Sequence, residues 1–292
     1  MSDPRKAYLY AGGTVLMWSS VATAFKITLR AFEPAQLAFA ASVVSTGVLA
    51  VTVGLRGQLG QVWPTLRARP LLYVGLGLLN PCLYYLTLLE GYARLPAQQA
   101  QPLNFTWAIT LALLSVPLLG QRLHGRDLIA CLLGYGGVLV IATRGDVFSL
   151  QFEDGIGVGC VLASTIIWSL YWIGNARNPG DPVLGLLLCF LCGVPFTALG
   201  VALFSDFAMA DWHGLLGAAY IGFFEMGLAF VLWLLALRHA ENTARVTSLA
   251  FLSPFLSLFF IANIVGEPIH PATFIGLGLI VAGLLAQRFL RG

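Results

Sequence analysis

Charge is the scarcest feature of this chain. Lys, Arg, Asp and Glu together make up 10% of its 292 residues, against about 25% in soluble domains. So small a polar supply cannot cover a water-facing surface, which excludes a soluble globular fold and makes lipid the expected solvent. The net charge is +3 and no basic run occurs, which excludes a nucleic-acid surface. Only four histidines are present, His124, His213, His239 and His270, all in links or near helix ends. The Ser/His set or Asp pair that an intramembrane enzyme would need at the midplane is missing. The five cysteines (Cys82, Cys131, Cys160, Cys189, Cys192) are odd in number and lie in apolar stretches, which argues against a disulfide framework. Cys189 and Cys192 form a CxxC, read as small packing residues rather than a redox pair. Zinc-ligand spacing, a Walker loop and a dinucleotide fingerprint are all missing, so no cofactor or metal is expected.

What the chain has is apolar length. It is 58% hydrophobic, with a mean hydropathy of +0.84. Apolar stretches run over 7–27, 34–55, 70–92, 97–119, 126–143, 155–175, 182–204, 214–237, 242–264 and 271–289. About 20 residues cross the hydrocarbon, and lipid offers the backbone no partner outside the segment, so each is expected to be a helix. The first follows "MSDPRKAYLY" without a small-residue cleavage site and reads as a retained helix rather than a signal peptide. Ten crossings put both termini on one side. With the N-terminus inside, twelve of the sixteen basic residues fall inside, which by the positive-inside rule predicts cytoplasmic termini.

The halves echo each other. Trp18-Ser19 matches Trp168-Ser169 at an offset of 150, while Gly120, Gln121, His124 and Gly137 match Gly266, Glu267, His270 and Gly283 at an offset of 146. Five helices per repeat is an odd number, so the second repeat enters the membrane from the opposite side. The expected fold is therefore an all-α membrane protein of ten transmembrane helices in two inverted five-helix repeats, residues 1–148 and 149–292, around a central cavity. Inverted repeats mark secondary transporters, with the substrate near the midplane.

The Trp-Ser opening each half, the stretch "VPLLGQRLHGRDLIACLLGYGGVL" and its partner "GEPIHPATFIGLGLIVAGLL" also carry a family likeness. The chain resembles the drug/metabolite transporter superfamily, in its ten-helix EamA-type branch, over nearly its whole length. Within it the chain is most similar to the bacterial aromatic amino acid exporters. The resemblance implies a small-molecule amino acid substrate, the bacterial inner membrane, and alternating access. A drug or other metabolite exporter on the same scaffold is the rival reading. The family pattern has Glu where this chain has Gln121, so that position is assigned no ion-coupling role. Oligomeric state is not legible.

Candidate site residues follow from polar and aromatic groups at helical spacing. Trp168, Tyr171, Trp172 and Asn175 form one stripe, either a cavity wall or an interfacial belt. Trp18 is the repeat partner of Trp168. Gln98 and Gln101 share a face with Pro102 and Phe105, and either line a wet cavity, tie helices together or mark the helix's outer end; Pro102 should loosen the helix. Asn80 and Tyr84 flank Pro81 in the same manner. Asn104 and Ser248 are lesser candidates. Glu225, the one charge in "AYIGFFEMGLAFVLWLLAL" over 219–237, lies at mid-depth, where an ionised carboxylate costs about 2.5–3.5 kcal/mol or more. It must be protonated, paired or facing water: a contact for a substrate ammonium, a proton carrier, or a strut between helices. The glycines at 134, 136, 137, 155, 157, 159, 276 and 278 fit close helix packing.

Overall fold

The computed structural model describes residues 4–120, 125–148, 154–178, 180–239 and 249–289. Gln121, His124, Ser248 and the expected start of the ninth helix at 242 lie outside these, as does the segment after the boundary at 148. The described residues contain helices and no strand. The long helices are α1 (Pro4–Thr28), α2 (Pro34–Leu55), α3 (Pro70–Arg94), α4 (Ala97–Leu119), α5 (Gly125–Ala142), α6 (Gly155–Ala176), α7 (Pro182–Phe204), α8 (Trp212–Ala236), α9 (Ser253–Val265) and α10 (Pro271–Phe289). Six of them, α2, α3, α4, α6, α7 and α8, are long and apolar enough to cross a membrane. A short surface helix, Val62–Ala68, joins α2 to α3.

Burial is inside-out relative to a soluble protein. Leu9, Val51, Leu55, Leu71, Leu132, Leu203 and Phe204 are exposed, while Ser19, Ser42, Ser45, Ser164, Ser169, Thr197 and Ser253 are fully buried. Lipid is as apolar as leucine, so only packing and hydrogen bonding gain by turning inward, and small residues satisfy both. Ser45 Oγ, for example, donates across helices to Met226 O at 2.9 Å.

Helix α1 packs on α8 and α9, and α6 packs on α3 and α4; α2 lies on α7, and α5 on α10. Exchanging the two halves maps that list onto itself. Helices α5 and α10 approach closely. A Cβ on Gly276 would stand 2.5 Å from Gly137 O, and one on Gly283 would stand 2.8 Å from Ala130 O. Gly157 similarly abuts Leu95, at 2.8 Å. Gly136, Gly155, Gly159 and Gly278 meet nothing within 4 Å, so the close-packing expectation is met at one side of each glycine cluster and not the other.

Three helices, α3, α4 and α8, break their regular winding near mid-length. In α3 the break is Leu78–Leu83, where Asn80 is extended (φ −141°, ψ 118°) ahead of Pro81. In α8 it is the π-helical stretch Ile221–Leu228, which contains Glu225. The α3 and α8 breaks are at equivalent positions, the third helix of each half. Pro102 loosens α4 as anticipated: the helix gives way to a turn at Phe105 and Thr106 before resuming at Trp107.

Opposite ends of the bundle are tied by different groups. At one end Lys26 Nζ donates to Tyr92 O (2.9 Å) and Leu95 O (2.7 Å), and Arg94 pairs with Glu90 and with Asp154. At the other, Arg56 forms two 3.1 Å bonds to the Asp181 carboxylate, and Arg177 donates to Leu118 O at 2.6 Å.

Candidate functional site

A cavity of about 540 Å³ lies between helices of both halves, lined from α1, α3, α4, α6, α8 and α10. Its volume is in the range of small-molecule sites. It begins at Phe25, Tyr92 and Gln101, and runs past Trp168 and Glu225 to Leu119, Ala176 and Leu234 near the Arg177 end.

The walls are aromatic. Trp168 stacks on Tyr84 with centroids 4.4 Å apart and planes at 28°, and meets Trp172 (5.7 Å) and Phe230 (5.7 Å) edge-on. Trp18 meets Trp233 at 5.1 Å. Regular winding accounts for most of this. Trp18, Val21 and Phe25 fall on one face of α1; Tyr84, Leu88 and Tyr92 on one face of α3; Trp168, Trp172 and Ala176 on one face of α6.

Helix α8 is different. Glu225, Phe230 and Trp233 all line the cavity, at spacings of five and eight. A regular α-helix would scatter them. The π-helical stretch inserts about one extra residue into the turn, so they act as if spaced by four and seven and share a face. Phe230 and Trp233 were invisible to helical periodicity for that reason. Glu225 is partly buried, and its Oε2 is a buried atom with no hydrogen-bond partner. It lies within electrostatic reach of the hydroxyls of Tyr84, Tyr85 and Tyr92 on α3.

Of the residues singled out from the sequence, Trp18, Tyr84, Gln101, Trp168, Trp172 and Glu225 line this one cavity, as does Asn104. Asn80 and Gln98 are not in its lining. Asn80 is wholly buried at the α3 break. Gln98 is occupied at the Lys26 end: Nε2 donates to Pro268 O (2.6 Å), while Oε1 accepts from His270 N (2.7 Å) and Thr273 Oγ1 (3.1 Å). Its buried amide ties α4 to the α9–α10 link, in line with the helix-tying alternative for that residue. Tyr171, the middle of the expected α6 stripe, turns into the packed core, and Asn175 is outside the lining. Gln101 Oε1 accepts from the Tyr92 hydroxyl. Among the described residues no group of three His, Cys, Asp or Glu is placed to hold a metal.

With that geometry in hand, the chain matches the EamA-like transporter family twice, over residues 5–143 and 155–287. The protein belongs to the EamA-like transporter family. An aromatic amino acid exporter, YddG of Ancylobacter novellus, is 26% identical over 289 residues, covering 94% of this chain and 96% of the relative. A transporter of Bacillus subtilis, YvbV, itself uncharacterized, is 25% identical over 278 residues, covering 92% and 87%. A solved crystal structure aligns at a TM-score of 0.66 and 24% identity over 98% of this chain and 99% of its own; that likeness is one of fold. This EamA-like protein is thus a multi-pass membrane transporter with an aromatic-walled cavity.

Proposed function

We propose that this EamA-like protein exports amino acids, aromatic ones and other neutral ones among them, across the bacterial inner membrane by alternating access. One observation carries the reading: a small-molecule-sized cavity between the two halves joins an aromatic wall to the Glu225 carboxylate, the one acidic group among its described lining residues. The wall takes an apolar side chain, and Glu225 takes the ammonium. The name of the Ancylobacter relative points to the same substrate class.

Alternating access needs two halves that can exchange roles. The exchange-symmetric packing of α1 with α8/α9 and of α6 with α3/α4 supports inverted repeats. So do the ends of those helices: Lys26 near the C-terminus of α1 and Asp154 at the N-terminus of α6 both meet the end of α3, so α1 and α6 run in opposite directions. Breaks in α3 and α8 at mid-depth are the form that transporter sites take. The cavity reaches toward the Arg56 and Arg177 end, the cytoplasmic side by the positive-inside rule, and the Lys26–Glu267 end is tied shut. The conformation fits one loaded from the cytoplasm.

The test is counterflow in proteoliposomes. Radiolabelled tryptophan and phenylalanine should accumulate transiently against a trapped unlabelled pool. Uptake equal to that of protein-free liposomes for every amino acid tried would end the amino acid reading.

A further inference from the structure

Glu225 is the one formal charge among the cavity's described lining residues, and apart from Gln101, Asn104 and Ser115 the other side chains there are aromatic or aliphatic. A zwitterion would bring two charges into this space. Its ammonium would meet Glu225 and the faces of Trp18, Trp168 and Tyr84, since aromatic faces attract cations. Its carboxylate would meet neutral donors and no cation among the described lining residues. Gln101 accepts from the Tyr92 hydroxyl through Oε1, which leaves its Nε2 as a neutral donor; Asn104 Nδ2 gives one hydrogen to Ser164 Oγ (3.3 Å), and Ser115 Oγ donates to Leu111 O (2.7 Å). The Trp172 Nε1–H is buried without a partner. Neutral N–H and O–H donors solvate a carboxylate but do not neutralise it, and a buried charge without a counter-ion is costly.

Building on the transport reading above, we infer that the preferred cargo of this cavity is an aromatic or apolar amine whose only charge is positive: a decarboxylated or carboxyl-blocked amino acid rather than the zwitterion. Glu225 pairs with the ammonium, the tryptophans and Tyr84 enclose it and the ring, and the Trp172 N–H is left for a neutral oxygen if the cargo has one.

The experiment uses the purified full chain in nanodiscs. Quenching of tryptophan fluorescence reports binding, because Trp18, Trp107, Trp168, Trp172 and Trp233 all line the cavity. The probes are phenethylamine, phenylalanine and 3-phenylpropionate, which present the ammonium alone, both charges, and the carboxylate alone. Phenethylamine should bind at least about tenfold more tightly than phenylalanine, which corresponds to 1.4 kcal/mol or more, and 3-phenylpropionate should not bind. Glu225→Gln should erase the preference for the amine. Phenylalanine binding as tightly as phenethylamine, or 3-phenylpropionate binding alongside it, overturns the inference on wild-type protein alone, whatever the variant does. An amine preference that survives Glu225→Gln overturns Glu225's part in it. Counterflow of the same compounds separates this inference from the reading beneath it. Phenylalanine moving without phenethylamine sinks the inference and leaves amino acid export standing. Phenethylamine moving without any amino acid does the reverse. If neither moves, both are wrong.

Discussion

Lys26 and Glu267 come from different halves of the chain and cap the two helix ends that meet at the α3–α4 turn. Lys26 Nζ donates to the last carbonyls of α3, at Tyr92 and Leu95, and the Glu267 carboxylate accepts from Ala97 N (3.1 Å) and Gln98 N (3.3 Å) at the first turn of α4. A cation at a helix C-terminus and an anion at a helix N-terminus each complement the local dipole. The pair ties this end of the bundle without contributing to the cavity.

Glu267→Ala removes both acceptors from the start of α4. Loss of an N-terminal cap costs about 0.5–2 kcal/mol, so the melting temperature in detergent should fall. Gln98→Ala should also lower it, through the lost bonds to Pro268, His270 and Thr273. Neither change should alter the Kd of an aromatic ligand more than about twofold. A large loss of affinity in Gln98→Ala, measured by fluorescence quenching, would return that residue to the binding site.

Trp168→Ala deletes the ring that stacks on Tyr84. Stacking of that ring on a bound aromatic ligand contributes about 0.5–1.5 kcal/mol beyond burial, roughly two- to twelvefold in Kd. Affinity for aromatic ligands should fall by about that factor, with a smaller change for alanine. Equal losses for both would mean that Trp168 acts through packing alone.

Gly276 and Gly278 stand two residues apart on α10 and face different surroundings. A Cβ at 276 collides with Gly137 O, while 278 meets nothing within 4 Å. Gly276→Val should therefore reduce folded yield and melting temperature, and Gly278→Val should not. Size-exclusion profiles and thermal melts distinguish them. Equal tolerance would overturn the close α5–α10 contact.

Asp181 caps α7 and pairs with Arg56. Partial burial pushes its carboxyl up, but the Leu184 N–H, the Arg56 guanidinium and the Val183 N–H outweigh it and hold the group below its ordinary value. A depressed folded-state value stabilises above the unfolded pKa of about 3.9 and is lost as pH falls through the folded value. Asp181→Ala should lower the melting temperature at pH 6, with the gap to wild type closing in acid. A gap independent of pH would remove the charge from the explanation.

Helical spacing pointed to Tyr84 on α3, Gln101 on α4, and Trp168 and Trp172 on α6, and the internal repeat pointed to Trp18 on α1. Phe25, Tyr92 and Trp107, which also line the cavity, carried no such signal, and Tyr171 and Asn175 shared the α6 spacing without lining it. Spacing could not separate Gln98 from Gln101. Three residues apart on one face, they differ in depth, and only the approach of the α9–α10 link shows that Gln98 is already satisfied. Phe230 and Trp233 were missed because the π-helical stretch around Glu225 shifts the register of everything after it. A regular 3.6-residue count has no means of placing that shift.

The composition by itself determined the solvent. With so few charges and so many long apolar stretches, only lipid could surround this chain, and in lipid the backbone had to become helical. The matched Trp-Ser and Gly-Gln/Glu-His segments were enough to indicate the family. Which face of each helix turns inward was decided by tertiary structure alone. A membrane helix is apolar toward lipid and toward its neighbours alike, so hydrophobic periodicity marks no interior. Ser, Gly and aromatic residues become walls or contacts only when a partner helix arrives. Gly276 is a contact because Gly137 lies against it, and Trp168 is a wall because Tyr84 stacks there and leaves space beyond.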